Sequence, residues 1–369
     1  MADKLALNNS CRILVMAGGT GGHVFPALVV AEKLMSANAT ISWLGTRRGI
    51  ENDLVPNQGI RIYYLSVEGL RGRGVLPLLK APFMLLKSLF QAWTILSKFK
   101  PQVVLGMGGF ASGPGAIAAK LKGIPLIIHE QNSVAGTTNR ILFRLANRVM
   151  QGFPDTLIRG EYCGNPVRAE IAAIAPPQER FKNRNGPIRM LVLGGSRGAI
   201  ALNKLIPQAL AILDVGMRPN VIHQTGSQHL TVTEDAYRQQ GLDLSDEALD
   251  IVPFINKMED AYAWADFVIC RSGALTIAEL VSVGLGALLV PFPYAIDDHQ
   301  TSNGNLLVNS GAAQLTQESD LNPQVLAQYI RSFCESADQR LSMATAARSL
   351  AKNDAADRVA QACLEIAYD

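Results

Sequence analysis

Short apolar runs recur along this 369-residue chain, and each stops at a cluster of glycine or polar residues. Residues 12–17 (RILVMA) run into GGTGGH at 18–23, and residues 189–193 (RMLVL) run into GGSRGA at 194–199. A continuous run, without the alternation of a half-solvated strand, predicts a strand covered on both faces, as in a parallel sheet. Further strand candidates are 41–44, 60–65, 103–105 and 125–129 in the first half, and 219–224, 251–254, 267–270 and 287–290 in the second. Helix-compatible stretches separate them, which predicts parallel sheets with helices on both faces. The two glycine-bearing units start 177 residues apart, about half the chain. Two similar α/β domains explain that spacing, with ligands expected beyond the carboxyl ends of the strands. Breakers at 162–167 (YCGNPV) mark a hinge, and 176–187 reads as a second polar connection.

Composition narrows the class. With 48% apolar and 18% charged residues the chain can bury a substantial core, which excludes disorder as its main state. No apolar run approaches the roughly 18–20 residues of a membrane span, and the first ten residues are too polar for a secretory signal. Five scattered cysteines with no C-x-x-C pair argue against a disulfide framework or zinc site and for a reducing cytosol. The net charge of +3 hides a division: residues 1–165 hold 18 Lys and Arg against 8 Asp and Glu, and the remainder 16 against 23. Between Gly69 and His129 stand eight basic residues and no acid. A basic half points to an anionic partner: phosphate, nucleic acid or membrane surface. The stretch 75–99 carries Lys80, Lys87 and Lys98 among more apolar residues than one solvated helix face holds. It is either core or partly set in a bilayer interface.

Glycine turns carry the candidate chemistry. At 18–23, glycine allows a ligand close to the backbone, and N–H groups of the next helix suit an anion. Without a following Lys it is no phosphate loop of the G-x-x-x-x-G-K-[ST] kind. Residues 106–115 (GMGGFASGPG) form another such turn. His23 is placed as a candidate base, a neutral imidazole near pH 7. Glu130, alone among basic residues, is either an ion-pair partner or a second base, and Asn132 is placed to hydrogen-bond a ligand. In the second half, Ser196 adds a hydroxyl to a turn suited to a departing diphosphate. In CRSGALTIAEL (270–280), Ser272 or Gly273 starts a helix whose first N–H groups face an anion. Glu279 sits inside that helix, where it can accept two ribose hydroxyls. No Asp-x-Asp occurs, so a metal-bridged diphosphate is not indicated, and positive charge with helix dipoles must stabilise the leaving group.

GGTGGH, GMGGFASGPG, HEQN (129–132), GNPVR (164–168), GGSRGA, CRSGALTIAEL and DDHQTSN (297–303) occur in that order over essentially the whole chain. In this the sequence resembles the MurG family, transferases that add N-acetylglucosamine to undecaprenyl-pyrophosphoryl-MurNAc-pentapeptide. The resemblance implies an α/β protein of GT-B architecture: two Rossmann-like domains with parallel sheets facing a cleft, and a C-terminal helix crossing back to the first domain. Domain boundaries are expected at 1–165 (with about 352–369) for the acceptor and membrane side, and 166–351 for UDP-GlcNAc. The implied reaction is inverting transfer to a MurNAc C4 hydroxyl, with no cofactor and no metal site. Carried over by motif, Ile255 would hold the uracil and Glu279 the ribose. Ser196, Ala274, Leu275 and Thr276, with Ile277 and Ala278 behind them, would surround the diphosphate, and Arg168 would reach it from the hinge. Gln300 would meet the GlcNAc hydroxyls, in a loop whose alignment can slip by one residue. Thr20, Gly21, Gly22 and Asn132 would approach the donor sugar from the first domain. The base is expected to be His23, or a group His23 organises, with Glu130 second.

The implied partners are the donor, the lipid acceptor, an anionic cytoplasmic membrane surface and other cell-wall synthesis proteins, with no nucleic acid. The expected location is the inner face of the cell membrane. Three other readings share some features. A UDP-GlcNAc 2-epimerase has the same plan and donor. A nicotinamide dehydrogenase is disfavoured, because neither glycine turn is followed by a convincing ribose-binding acid about 20 residues on. A non-enzymatic module binding cell-wall lipids would match the basic stretch.

Overall fold

The computed structural model describes residues 11–67, 75–195 and 198–369, with 75–81 described by backbone alone. The chain divides into two compact units, Met1–Pro166 with Lys352–Asp369, and Val167–Ala351. In the first, β1 (Arg12–Met16), β2 (Thr40–Gly45), β3 (Arg61–Tyr64), β4 (Val103–Gly106), β5 (Leu126–Glu130), β6 (Arg148–Gln151) and β7 (Glu161–Tyr162) pair in the order β3-β2-β1-β4-β5-β6-β7. Every pairing is parallel, with Leu14 of β1 opposite Ser42 on one side and Val104 on the other.

The sequence of β1 shows why no polar alternation was visible. Ile13 and Val15 pack with Val24, Val30 and Leu34 of the helix Gly21–Ser36, and with Val359 and Cys363 of the final helix, Ala355–Tyr368. Leu14 and Met16 point the other way, to Ala92 and Leu96 of the helix Val75–Phe99 and to Ala116 and Ala119 of Ser112–Leu121. Successive strand residues face opposite sides, so two covered faces demand an apolar residue at every position. The final helix thus completes a layer of the first unit. Arg148 ties it down, reaching Glu365 at 2.7 Å and Glu161 at 2.9 Å.

In the second unit, β8 (Arg189–Leu193), β9 (Asn220–Gln224), β10 (Leu249–Val252), β11 (Phe267–Cys270), β12 (Gly286–Leu289) and β13 (Ala313–Leu315) pair in the order β10-β9-β8-β11-β12-β13, again all parallel. In both sheets the first strand lies between the second and the fourth. The chain therefore winds outward in opposite directions from β1 and β4, and from β8 and β11. Loops part at such a reversal and leave a crevice at the carboxyl edge of the sheet.

Several boundaries differ from the sequence expectation. β10 was expected at 251–254 but ends at Val252, because Pro253 has no N–H for the ladder. β6, β7 and β13 were not anticipated; β7 has two residues and β13 three, too few to show a period. The connection expected at 176–187 contains the helix Pro177–Phe181, with Pro177 in its first turn, where a missing N–H costs nothing.

A polar cluster inside the second unit has a consequence for acid stability. His223 of β9 is fully buried, with Nδ1 3.0 Å from the Tyr237 hydroxyl and Nε2 3.1 Å from Asn203 Oδ1. Burial depresses its pKa from 6.5 to about 3. Between those values the unfolded chain binds a proton that the folded chain refuses, so stability falls as pH falls, by about 1.4 kcal/mol per pH unit. Urea unfolding of the wild type between pH 6 and 4 is expected to show this slope, and His223→Gln to flatten it by that amount.

Candidate functional site

Glycine fixes the first unit's crevice. Gly108 and Gly109, just after β4, have φ of +95° and +86°. A Cβ on Gly108 would lie 2.5 Å from His23 Cδ2, and one on Gly109 would lie 2.4 Å from the Gly18 carbonyl oxygen. The turns after β1 and β4 thus interlock, and only residues without side chains let them meet. His23 stands in the first turn of the helix Gly21–Ser36, half-buried, with Nδ1 3.5 Å from Thr20 Oγ1. Thr20 is exposed at the helix N-cap, and its carbonyl accepts from the His23 and Val24 N–H groups at 3.2 Å. Gly21 and Gly22 are half-buried beside it.

A residue that sequence reasoning missed anchors this turn. Glu51, fully buried at the start of the helix Glu51–Asn57, accepts from the Gly19 N–H at 2.9 Å through Oε2. Its Oε1 accepts from the Thr46 N–H at 2.9 Å and the Thr46 hydroxyl at 2.8 Å. One carboxylate therefore ties the first glycine turn to the loop after β2. Its partners are mostly backbone, 32 residues away in the case of Gly19, and leave no sequence signature.

Glu130 ends β5, almost completely buried. Oε1 accepts from the Asn132 N–H at 2.9 Å and its side-chain amide at 3.4 Å; Oε2 accepts from the Gly136 N–H at 3.1 Å and the Asn139 side chain at 2.9 Å. These oxygens organise the loop that carries half-buried Asn132. Next to it, His129 is wholly buried, with Nε2 3.0 Å from the Gly164 carbonyl and Nδ1 3.2 Å from the Gln131 amide. Burial lowers its pKa, so a neutral ring that donates through Nε2 and accepts through Nδ1 fits both partners.

In the second unit, Gly273 is the N-cap of the helix Ala274–Val283, with extended backbone, so the first-turn N–H groups stand at the carboxyl end of β11. Leu275 and Thr276 are half-buried there, while Ala274, Ile277 and Ala278 pack inward. Glu279 is not an exposed helical acid but buried, one turn further on. Tyr262 donates its hydroxyl to Glu279 Oε2 at 2.9 Å, and Arg168 lies 3.5 Å from Oε1. Burial raises the Glu279 pKa, and the Arg168 charge and the Tyr262 hydrogen bond oppose that shift. Each carboxylate oxygen keeps a second lone pair for a further donor. Tyr262 lies in an amphipathic helix, Met258–Trp264, and nothing in the sequence set it apart. Ile255 is half-buried after β10, and Gln300 accepts from the Phe292 N–H at 2.9 Å, bracing the loop before its helix. Ser196 lies outside the described residues. The remaining anticipated residues of this unit thus lie beyond the carboxyl edge of its sheet, around β10, β11 and β12. Among the described residues no group of three His, Cys, Asp or Glu could hold a metal ion.

Paired units of this topology, with glycine turns where the winding reverses, are the architecture of the GT-B glycosyltransferases. A crystal structure of Acinetobacter baumannii MurG superposes with a TM-score of 0.83 at 38% identity, covering 96% of this chain and 99% of that one. A calicheamicin glycosyltransferase shares the fold alone, with a TM-score of 0.66 at 14% identity over 97% of this chain and 99% of its own. The chain belongs to glycosyltransferase family 28: the family's N-terminal domain matches residues 13–151 and its C-terminal domain residues 189–359. Its relatives carry the name UDP-N-acetylglucosamine–N-acetylmuramyl-(pentapeptide) pyrophosphoryl-undecaprenol N-acetylglucosamine transferase. That of Nitrosococcus oceani is 50% identical over 96% of this chain and 99% of its own length. That of Burkholderia thailandensis is 48% identical over 96% of each.

Proposed function

We propose that this chain transfers GlcNAc from UDP-GlcNAc to the C4 hydroxyl of undecaprenyl-pyrophosphoryl-MurNAc-pentapeptide, inverting the anomeric centre. The observation that carries the reading is the near-full-length identity to transferases of that name, joined to a glycine turn at the winding reversal of each sheet. The second unit takes the donor. Ile255 meets the uracil through its backbone, and Glu279, braced by Tyr262 and Arg168, accepts from the ribose. The N–H groups at Ala274, Leu275 and Thr276 face the diphosphate, with Ser196 and Arg168 beside it. Roughly half a positive charge at that helix end stabilises UDP as it departs. Gln300 reads the sugar hydroxyls.

The first unit takes the acceptor, and its Thr20, Gly21, Gly22 and Asn132 approach the donor sugar. His23 accepts the proton of the attacking C4 oxygen, or orients the group that does; that oxygen forms its bond to the anomeric carbon as the bond to UDP breaks. Glu130 is second choice, since four donors already occupy its carboxylate. UDP release from UDP-GlcNAc is expected only when a soluble lipid-diphosphate acceptor is present, with or without chelator. His23→Ala is expected to lose about 100-fold or more in turnover. Turnover of UDP-GlcNAc without acceptor points to an epimerase, and no UDP release with or without acceptor to a binding module. Normal turnover in His23→Ala beside a dead Glu130→Gln exchanges the two assignments.

We further assign the exposed apolar face from Phe83 to Trp93, on the helix Val75–Phe99, to an anionic bilayer surface. Among the described residues no helix is long and apolar enough to cross a membrane. Yet Phe83 is 77%, Leu86 64% and Phe90 73% exposed, and Lys122 stands 3.8 Å over the Trp93 ring. An apolar patch rimmed by lysines suits the interface of an anionic leaflet. Phe90→Asp with Leu86→Asp is expected to weaken partition into phosphatidylglycerol vesicles by about tenfold or more; unchanged partition removes this face from the account.

A further inference from the structure

A cavity of about 850 Å³ opens in the first unit beyond the ends of β2 and β3, apart from the glycine turns. Arg47, Arg48 and Lys87 line it together with Tyr64, Phe83 and Met84. All three cations are exposed. The Arg47 guanidinium lies over the Tyr64 ring, 4.6 Å from its centre. Stacking of that kind holds the planar group by its face and leaves the N–H fork at its edge for an oxyanion. Inward, the cavity meets buried Leu65 and Val67; outward, Phe83 begins the exposed apolar face that continues through Leu86 and Phe90. Clustered cations beside an apolar path fit a phosphorylated lipid better than a free phosphate or a nucleic acid.

The neighbouring glycine turn is a poorer place for that anion. Its Gly19 N–H already serves the Glu51 carboxylate, and a diphosphate drawn in there would meet a buried like charge. The same carboxylate holds Thr46, which lines the cavity and leads directly into Arg47 and Arg48. Glu51 thus fixes the cationic loop beside the turn while keeping the turn itself for neutral groups.

We propose that the pocket of Arg47, Arg48 and Lys87 is the subsite for the diphosphate of a polyprenyl-diphosphate acceptor, with the first isoprene units running along Phe83. The inference rests on the transferase reading above and adds where the acceptor's charge is held. The test compares the wild type with Arg47→Ala/Arg48→Ala and with Lys87→Ala, using acceptor in detergent micelles. Acceptor KM is expected to rise about tenfold or more for each cation removed, with the KM for UDP-GlcNAc unchanged and kcat within about twofold. Farnesyl diphosphate is expected to compete with acceptor in the wild type and to weaken by the same factor in the variants, while farnesol does not compete. Arg47→Lys/Arg48→Lys, which keeps the charge, is expected to recover part of the loss. Unchanged acceptor KM, or equal inhibition of all proteins by farnesyl diphosphate, overturns the proposal. So does a loss confined to phosphatidylglycerol vesicle binding, which would make the pocket a reader of bilayer headgroups. If the wild type itself transfers nothing, the functional reading fails on its own. The pocket is then judged by calorimetric titration with farnesyl diphosphate, where equal affinity in wild type and variants rejects it.

Discussion

One buried carboxylate governs the carboxyl edge of the first sheet. Glu51 has no access to solvent and spends its oxygens on the Gly19 N–H, the Thr46 N–H and the Thr46 hydroxyl. Three donors satisfy a charge that would otherwise be expensive to bury. Space is reserved for it as tightly as hydrogen bonds are: a Cβ on Gly18 would sit 2.5 Å from Glu51 Oε1, and one on Gly49 closer still to the same carboxylate. From this point the geometry spreads in two directions. The glycine turn it holds interlocks with Gly108 and Gly109 and presents His23, and the loop it holds presents Arg47 and Arg48.

The second unit solves the corresponding problem without such an anchor. Its helix N-terminus at Gly273 stands free of a capping side chain, and its buried acid, Glu279, sits a turn deeper against Tyr262 and Arg168. The difference suits the proposed division of labour. A nucleotide diphosphate needs open N–H groups, whereas a neutral sugar hydroxyl needs a shaped pocket and a base. The charge division between the halves of the sequence follows the same logic, since the basic half is the one assigned to a charged lipid.

What the sequence disclosed, and what it hid, follows from how each feature is encoded. β1, β4, β8 and β11 were legible because strands covered on both faces must be apolar throughout and must end where a turn begins. β7 and β13 were not, being too short to carry a period, and Pro253 moved the end of β10. Residues inside ordered motifs, such as His23, Asn132 and Glu279, could be named in advance; their environments could not. Glu130 read as an isolated charge among basic residues and proved to be the hub of its own loop. Glu51 and Tyr262 escaped because a carboxylate bound to backbone amides, or a tyrosine aimed at one acid, looks like any other residue of an amphipathic helix. The cationic pocket escaped because Arg47 and Lys87 lie 40 residues apart and meet only through the pairing of β2 with β3 and the packing of the helix Val75–Phe99.

The most direct test of the account is the kinetics of Glu51→Gln. An amide in place of the carboxylate sets an N–H donor against either Gly19 or Thr46, loosening the turn without changing side-chain size. Turnover with the lipid acceptor should fall by about a hundredfold, the scale of a displacement near 1 Å at a reacting group. UDP binding, assigned to the other unit, should hold its wild-type affinity, and a cooperative thermal transition should persist. Wild-type turnover in a folded Glu51→Gln protein would contradict the claim that this carboxylate sets the geometry of the first glycine turn.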